Sequence, residues 1–255
     1  MKLNTGKNIS SRYGIKTKFR MYKMKLTISI FLCLILISSS AQSINDYNNY
    51  LQKNNQVVFV KANSDSTIDG TMFLYERKNH HKQWKLKDSF NIVIGKNGLG
   101  KDATSSITLN NITSTKHEGD GKSPAGIFPL GPVFSYHKLK HVHMPFVQVD
   151  TNFYCVDDVN SNYYNTLIRQ DTAQHNFNSF EYMRRQDSLY EYGVWVKYNS
   201  NPVSNGNGSC IFIHIWRNEN SGTAGCTAST KENILKLIYW LNKKKHPVLL
   251  QVVAD

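Results

Sequence analysis

The 255 residues carry 31 Lys and Arg against 18 Asp and Glu, a formal net charge of +13, but the excess is concentrated at one end. Residues 1–41 hold eight of the basic residues and no acid, so the rest of the chain stands at 23 against 18, a net +5 spread as single side chains. That dispersion argues against a nucleic-acid footprint and fits a solvated surface facing an anionic cell envelope, and the 214 residues after position 41 are enough for one domain with a substantial core.

At the N-terminus Lys2, Lys7, Arg12, Lys16, Lys18, Arg20 and Lys23 precede the stretch MKLTISIFLCLILISSSAQS, which opens at Met24. Lys25 closes a basic segment, Leu26 to Ser38 form an apolar core too short to span a membrane comfortably, and Ser39-Ser40-Ala41 offers small residues for cleavage before Gln42. Residues 1–41 therefore read as a signal peptide, with an uncleaved N-terminal anchor as the alternative and Met21 or Met24 as alternative starts. Cys33 lies within the apolar core without the small residues that precede a lipid-modified cysteine. No membrane span is expected once the leader is cleaved, and the protein is expected outside the cytoplasm.

Beyond the leader, QVVFVKA, TMFLYERK, WKLKDSFNIVIG, SSITLNNI, MPFVQVD, NFYCVDD, LYEYGVWVKYN, CIFIHIW and PVLLQVV are rich in Val, Ile, Phe, Tyr and Thr, and many alternate, as strands do. A helix is predicted from Thr230 to about Lys243. Ser229 and Glu232 have capping-box spacing, and Ile234, Leu237, Ile238 and Leu241 form an apolar stripe. FNSFEYMRRQDSLY is a second, weaker helix candidate. The fold class expected is mostly β with a few helices, α+β, with 42–89 supplying N-terminal strands ahead of a main body over 90–255.

Three cysteines follow the leader, Cys155, Cys210 and Cys226, so in an oxidising compartment one thiol is left unpaired within the monomer. Cys155 and Cys210 can pair in a disulfide, leaving Cys226 free. In CIFIHIWRNENSGTAGCTAST, alternation puts Ile211, Ile213 and Ile215 on one face of a strand, expected to be the core face, and Cys210, Phe212, His214 and Trp216 on the other. Cys210 lies about 13 Å from His214 along such a strand, whereas the loop after it lets the chain turn and bring Cys226 back beside His214. An imidazolium at hydrogen-bond distance lowers a thiol pKa and supplies thiolate at neutral pH. Gly225 has no Cβ to block a carbonyl approaching the backbone, and the amides around Gly225 and Cys226 suit an oxyanion hole. From spacing alone, a buried thiol near an unrelated core histidine is the more ordinary reading, since Cys-plus-His coincidences are common.

HIWRNENSGTAGCTAS resembles the active-site motif of the L,D-transpeptidase catalytic domain, the YkuD-type family, in which a histidine precedes a Ser/Thr-x-Gly-Cys turn. HEGDGKSPAGIFPLG resembles that family's Thr/Ser-Pro-x-Gly-x-Phe segment, and CVDDVNSNYYN, GSCIFIHIW and TAGCTA together resemble a poorly characterised secreted branch, over roughly residues 90–253. The resemblance implies a β-sandwich of mixed sheets with a C-terminal helix packed on it. It implies His214 as general base, Thr223 as the Ser/Thr of the motif, Cys226 as nucleophile, and acyl transfer on peptidoglycan stem peptides through a thioester, in the periplasm or cell envelope of a bacterium, with no cofactor and no metal. Ala224 stands where the family usually has a second histidine, and Ala228 where it usually has Asn or Arg, so the donor site is expected to differ.

Trp216 and Arg217 flank the expected site and are candidate substrate contacts, although a tryptophan beside a loop is often packing. His141 and His143 have a metal-ligand spacing without an evident third ligand, Asp157, Asp158 and Asn160 read as a turn rather than a calcium loop, and GDGKSP lacks phosphate-loop spacing. Two rival functions remain at this level: an L,D-carboxypeptidase or other cysteine hydrolase, and a noncatalytic envelope module that binds stem peptides or a partner.

Overall fold

Strand β1 (Gln56–Ala62) is buried along nearly its whole length because it serves two cores at once. Val58, Val60 and Ala62 point into one apolar cluster, Val57 and Phe59 into another, as period-two alternation requires of a strand covered on both faces. β13 (Val248–Val253) pairs with it in parallel and divides its side chains in the same way. The computed structural model describes Met1 and residues 43–170 and 177–254. The expected signal peptide over 1–41, apart from Met1, and its expected cleavage position before Gln42 lie outside the described residues.

The other strands are β2 (Asp69–Glu76), β3 (Lys85–Val93), β4 (Leu99–Lys101), β5 (Ser123–Ser135), β6 (Phe146–Gln148), β7 (Phe153–Val156), β8 (Leu167–Arg169), β9 (Phe180–Tyr182), β10 (Tyr192–Val196), β11 (Phe212–Ile215) and β12 (Thr227–Ser229). The main sheet runs β10-β11-β12-β3-β2-β1-β13-β5-β4, with β6 on β5, and mixes parallel and antiparallel pairs. β5 is the hinge of the architecture. Its first half pairs with β13 over Gly126–Pro129, and its second half pairs with β10 from Leu130 to Ser135, so the sheet turns back on its own first strand. β8, β7 and β9 form a separate three-stranded sheet. The chain is therefore mostly β with mixed sheets, as its sequence predicts. The strands before residue 90 lie in the middle of the main sheet, and β3 itself crosses that position.

Helix α1 (Lys231–Trp240) is shorter than predicted, and its N-cap is Thr230, whose hydroxyl accepts the Asn233 amide. The expected Ser229–Glu232 box does not form, because the Ser229 hydroxyl donates to the Asn91 carbonyl at 2.6 Å and is tied into β12. The predicted stripe holds: Ile234, Leu237, Ile238 and Leu241 are fully buried.

Two predicted elements are absent. SSITLNNI forms turns and coil, and residues 177–190 contain the short β9 and turns instead of a helix. Phe180 and Tyr182 of β9 stack against Tyr154 of β7, and that packing, with ring centroids 4.6 and 5.3 Å apart, overrides a weak helical pattern. The residue pattern of β5 does not mark a strand, because Pro124, Gly126, Pro129, Gly131 and Pro132 punctuate it like a loop; the family resemblance alone implies a strand after that turn. Prolines are tolerated in a strand only where no ladder amide is needed, and a strand that changes partners midway provides such places.

Candidate active site

His214 is placed by the ladder of β11. Its register neighbours are Gly193 on β10 and Ala228 on β12, both small, which leaves room for an imidazole inside the sheet. The isoleucine face of β11 is core, as expected, but the opposite face is core as well: Phe212 is fully buried in a cluster with Tyr190 and Cys226, and His214 is only 5% exposed, its ring against Tyr190. The ring Nδ1 lies 2.7 Å from the Ile215 carbonyl, and the Leu189 carbonyl also faces the ring. A carbonyl only accepts, so Nδ1 carries the hydrogen and Nε2 keeps the basic lone pair. Burial pushes the His214 pKa down to about 4, with the neighbouring Arg185 charge adding to the effect.

Cys226 sits at the end of a loop clamped from several directions. The Thr223 amide donates to the Ile94 carbonyl at 2.9 Å and the Lys96 amide to the Thr223 carbonyl at 2.8 Å, which fixes the loop to the end of β3. The Thr223 hydroxyl accepts the Gly225 amide at 3.1 Å and donates to the Cys226 carbonyl at 2.6 Å. Ser123 on β5 donates to the same carbonyl at 2.9 Å while accepting the Gly95 amide at 2.9 Å. A Cβ at Gly225 would stand 3.1 Å from the Lys122 carbonyl, so glycine here permits close contact with the residue that leads into β5. Gln251 completes the clamp, accepting from the Thr227 hydroxyl at 2.7 Å and donating to the Pro124 carbonyl at 2.8 Å.

The thiol itself is 6% exposed. It accepts the Phe212 amide at 3.3 Å and reaches the Cys210 carbonyl at 3.6 Å, in a buried cluster that includes Tyr190. Burial pushes its pKa well above the ordinary thiol range, and the Glu181 charge pushes in the same direction. Burial thus works against both charged forms, the imidazolium and the thiolate, and so against the lowering of the thiol pKa expected from the sequence.

Cys226 and His214 line one cavity of about 410 Å³, together with Thr223, Gly225 and Arg217. Its walls bring three basic groups, Lys116, Arg185 and Arg217, within one enclosure with three acids, Glu118, Asp157 and Glu181. Cys155 and Cys210 are joined in a disulfide, and Cys226 is the free cysteine among the described residues. Cys210 precedes β11 in a left-handed conformation, with φ of 55°, and lines the cavity with its carbonyl turned toward the Cys226 thiol. Trp216 is half-buried and lies off the cavity wall, Ala224 is exposed on it, and Ala228 is buried within the sheet.

The sequence model of the L,D-transpeptidase catalytic domain, YkuD, matches residues 55–250. The chain belongs to this family. Comparison with curated proteins and with solved structures gave no match. The matched span takes in β1–β3 as well as the motif-bearing strands. YkuD domains act on peptidoglycan and are typically associated with the cell wall. Among the described residues no helix is long and apolar enough to cross a membrane, and no group of three or more His, Cys, Asp or Glu is placed to hold a metal ion. Asp158 does close a turn, its carboxylate accepting the Asn160 amide at 2.9 Å.

Sequence reasoning missed Glu181, Arg185 and Tyr190 of this YkuD domain. They fall in the segment read as a weak helix, where charged and aromatic residues alternate without a period that marks a site. Gln251 carried a usable signal, an amide inside the apolar run PVLLQVV, since a fully buried polar side chain needs a partner.

Proposed function

We propose that this YkuD protein is a cysteine acyltransferase on peptidoglycan stem peptides, with Cys226 as nucleophile and His214 as general base. The observation that carries the reading is the His214 Nδ1–Ile215 carbonyl bond at 2.7 Å, which leaves Nε2 basic on the wall of the cavity that holds the free cysteine. In the step envisaged, the thiol proton passes to Nε2 as sulfur attacks the carbonyl of an L-centre in the stem. The tetrahedral oxyanion accepts a hydrogen bond from the Cys226 amide, since the Gly225 amide is already committed to Thr223. Collapse breaks the bond to the terminal D-residue, whose amine leaves with the proton from His214, and a thioester remains.

An amine from a neighbouring stem then attacks the thioester and restores the thiol. The mixed charge of the cavity suits a stem bearing both carboxylate and amine groups, with Arg217 placed to pair with a carboxylate. Thr223 acts on the geometry of the Gly-Cys turn rather than on substrate. Because burial disfavours both charged forms, the thiol proton passes to Nε2 in the same step as sulfur attacks, with no thiolate–imidazolium pair formed beforehand. A signal peptide over 1–41 delivers the domain to the periplasm or cell envelope in this reading.

Incubation of the purified protein with tetrapeptide muropeptides, followed by mass spectrometry, tests the proposal. A mass increase on Cys226 with cross-linked dimers supports transfer, and an adduct that decays only to the trimmed stem shows water as acceptor and a carboxypeptidase. A folded protein that binds stems without adduct or turnover is a binding module, and the proposal then fails.

A further inference from the structure

Glu118 reaches the wall of the Cys226 cavity from the loop between β4 and β5, and neutral groups fix its carboxylate there. Oε2 accepts the Tyr164 hydroxyl at 2.5 Å and the Ser209 hydroxyl at 2.6 Å. The Gly119 amide donates to Oε1 at 3.2 Å, and the Glu118 amide donates to the Gly206 carbonyl at 2.8 Å. Tyr164 and Ser209 are buried, and the Tyr164 oxygen already accepts the Gly208 amide at 3.0 Å, so its single hydrogen is left for Glu118. A carboxylate braced in this way is oriented before any ligand arrives.

The protein supplies no cation for that charge. Among the described residues no Lys, Arg or His forms an ion pair with Glu118, or with Asp157 on the same cavity wall. Two of the three bases on the wall are engaged with other acids, Lys116 with Asp120 at 2.7 Å and Arg185 with Asp187 at 2.7 Å. Asp157 Oδ1 is buried and has no hydrogen-bond partner. Burial pushes the Asp157 pKa up, and the Glu118 charge adds to the effect. A buried acceptor without a donor and an oriented carboxylate without a cation are both completed by a positive group that donates several hydrogen bonds. An ammonium is such a group, with three donors.

We propose that Glu118, together with Asp157, binds an ammonium group of the substrate and so selects stem peptides with a free side-chain amine at the residue whose carbonyl reacts. The inference deepens the acyl-transfer reading and rests on it for where that carbonyl lies. Ser209, the hydroxyl donor to Glu118, adjoins Cys210, whose carbonyl is 3.6 Å from the Cys226 sulfur. Carboxylate and sulfur are thus linked through two consecutive residues. A diamino acid with its carbonyl at Cys226 extends its flexible carbon stem along that link toward Glu118.

Calorimetry with stem tripeptides, which have no terminal D-residue to lose, tests the site without turnover. One peptide ends in lysine and the other in hydroxynorleucine, in which a hydroxyl replaces the ammonium. The unaltered protein is expected to bind the lysine peptide at least about tenfold more tightly. Glu118→Gln leaves an oxygen for the Tyr164 and Ser209 hydroxyls and removes the charge, so it should bring the two affinities within about twofold of each other, and Asp157→Asn should narrow the gap. Circular dichroism serves as the control for folding. Equal affinity of the unaltered protein for the two peptides, binding of neither, or the full lysine preference in a folded Glu118→Gln protein overturns the assignment, and the first two outcomes require no variant. Lysine-selective binding by a protein that forms no thioester removes acyl transfer and leaves the ammonium site standing. A thioester formed by a protein indifferent to the amine does the reverse.

Discussion

The Ser123 hydroxyl donates to the Cys226 carbonyl at 2.9 Å across 103 residues of sequence. The bond ties the first residue of β5 to the cysteine turn, and the same oxygen accepts the Gly95 amide at the end of β3. Ser123→Ala leaves that buried amide without its partner, at an expected cost of about 1–3 kcal/mol, read as a lower urea midpoint. Thr223→Val should behave similarly and Thr223→Ser should not, because serine retains both bonds of the Thr223 hydroxyl. Equal stability of the valine and serine variants would refute the bracing role.

His214 and Glu181 shape the pH dependence of stability in opposite directions. Folded His214 binds its proton only below about pH 4, against an ordinary 6.5, so the unfolded chain is the more protonated and stability rises with pH through that interval. Folded Glu181 keeps its proton up to about 7, against an ordinary 4.5, so the folded chain is the more protonated and stability falls as pH rises through that interval. Where the windows overlap, the two slopes oppose each other. Relative to the unaltered protein, Glu181→Gln should add a rising slope and His214→Gln a falling one, each on the order of 1 kcal/mol per pH unit. Urea midpoints taken at half-unit intervals measure this, and variants that follow the parent slope would show that burial does not set these pKa values.

The Cys155–Cys210 disulfide spans 55 residues and fixes the residue whose carbonyl faces the Cys226 thiol. Replacing both cysteines with serine should destabilise the fold by about 4 kcal/mol on loop-closure grounds. It should also change the rate of Cys226 alkylation, because Cys210 loses its covalent anchor. A Cys155→Ser, Cys210→Ser protein with the parent's melting temperature and alkylation rate would leave the bridge without either role.

Expression in a bacterium with the native N-terminus should yield protein outside the cytoplasm that begins at or near Gln42. Terminal sequencing of the recovered protein decides this, and an intact leader on cytoplasmic protein would remove the envelope localisation.

The strands β1, β11 and β13 could be read directly from the chain, since Val, Ile, Leu and Phe alternate or run unbroken there and strand burial leaves that mark. The apolar stripe of α1 was equally legible. The cysteine and histidine of the site were legible too, because Gly225-Cys226 and His214 lie within one continuous stretch whose residue types are tied to their chemistry. β5 was hidden by its prolines and glycines, and only a sheet that exchanges one partner for another at Pro129–Leu130 makes sense of them. Local sequence therefore determined the candidate cysteine and histidine and the apolar framework. Tertiary structure alone decided the state of the site. Phe212, Tyr190 and Glu181 come from distant segments to surround Cys226, and a thiol pKa depends on the water and charge brought around it in space, which residue order along the chain does not encode.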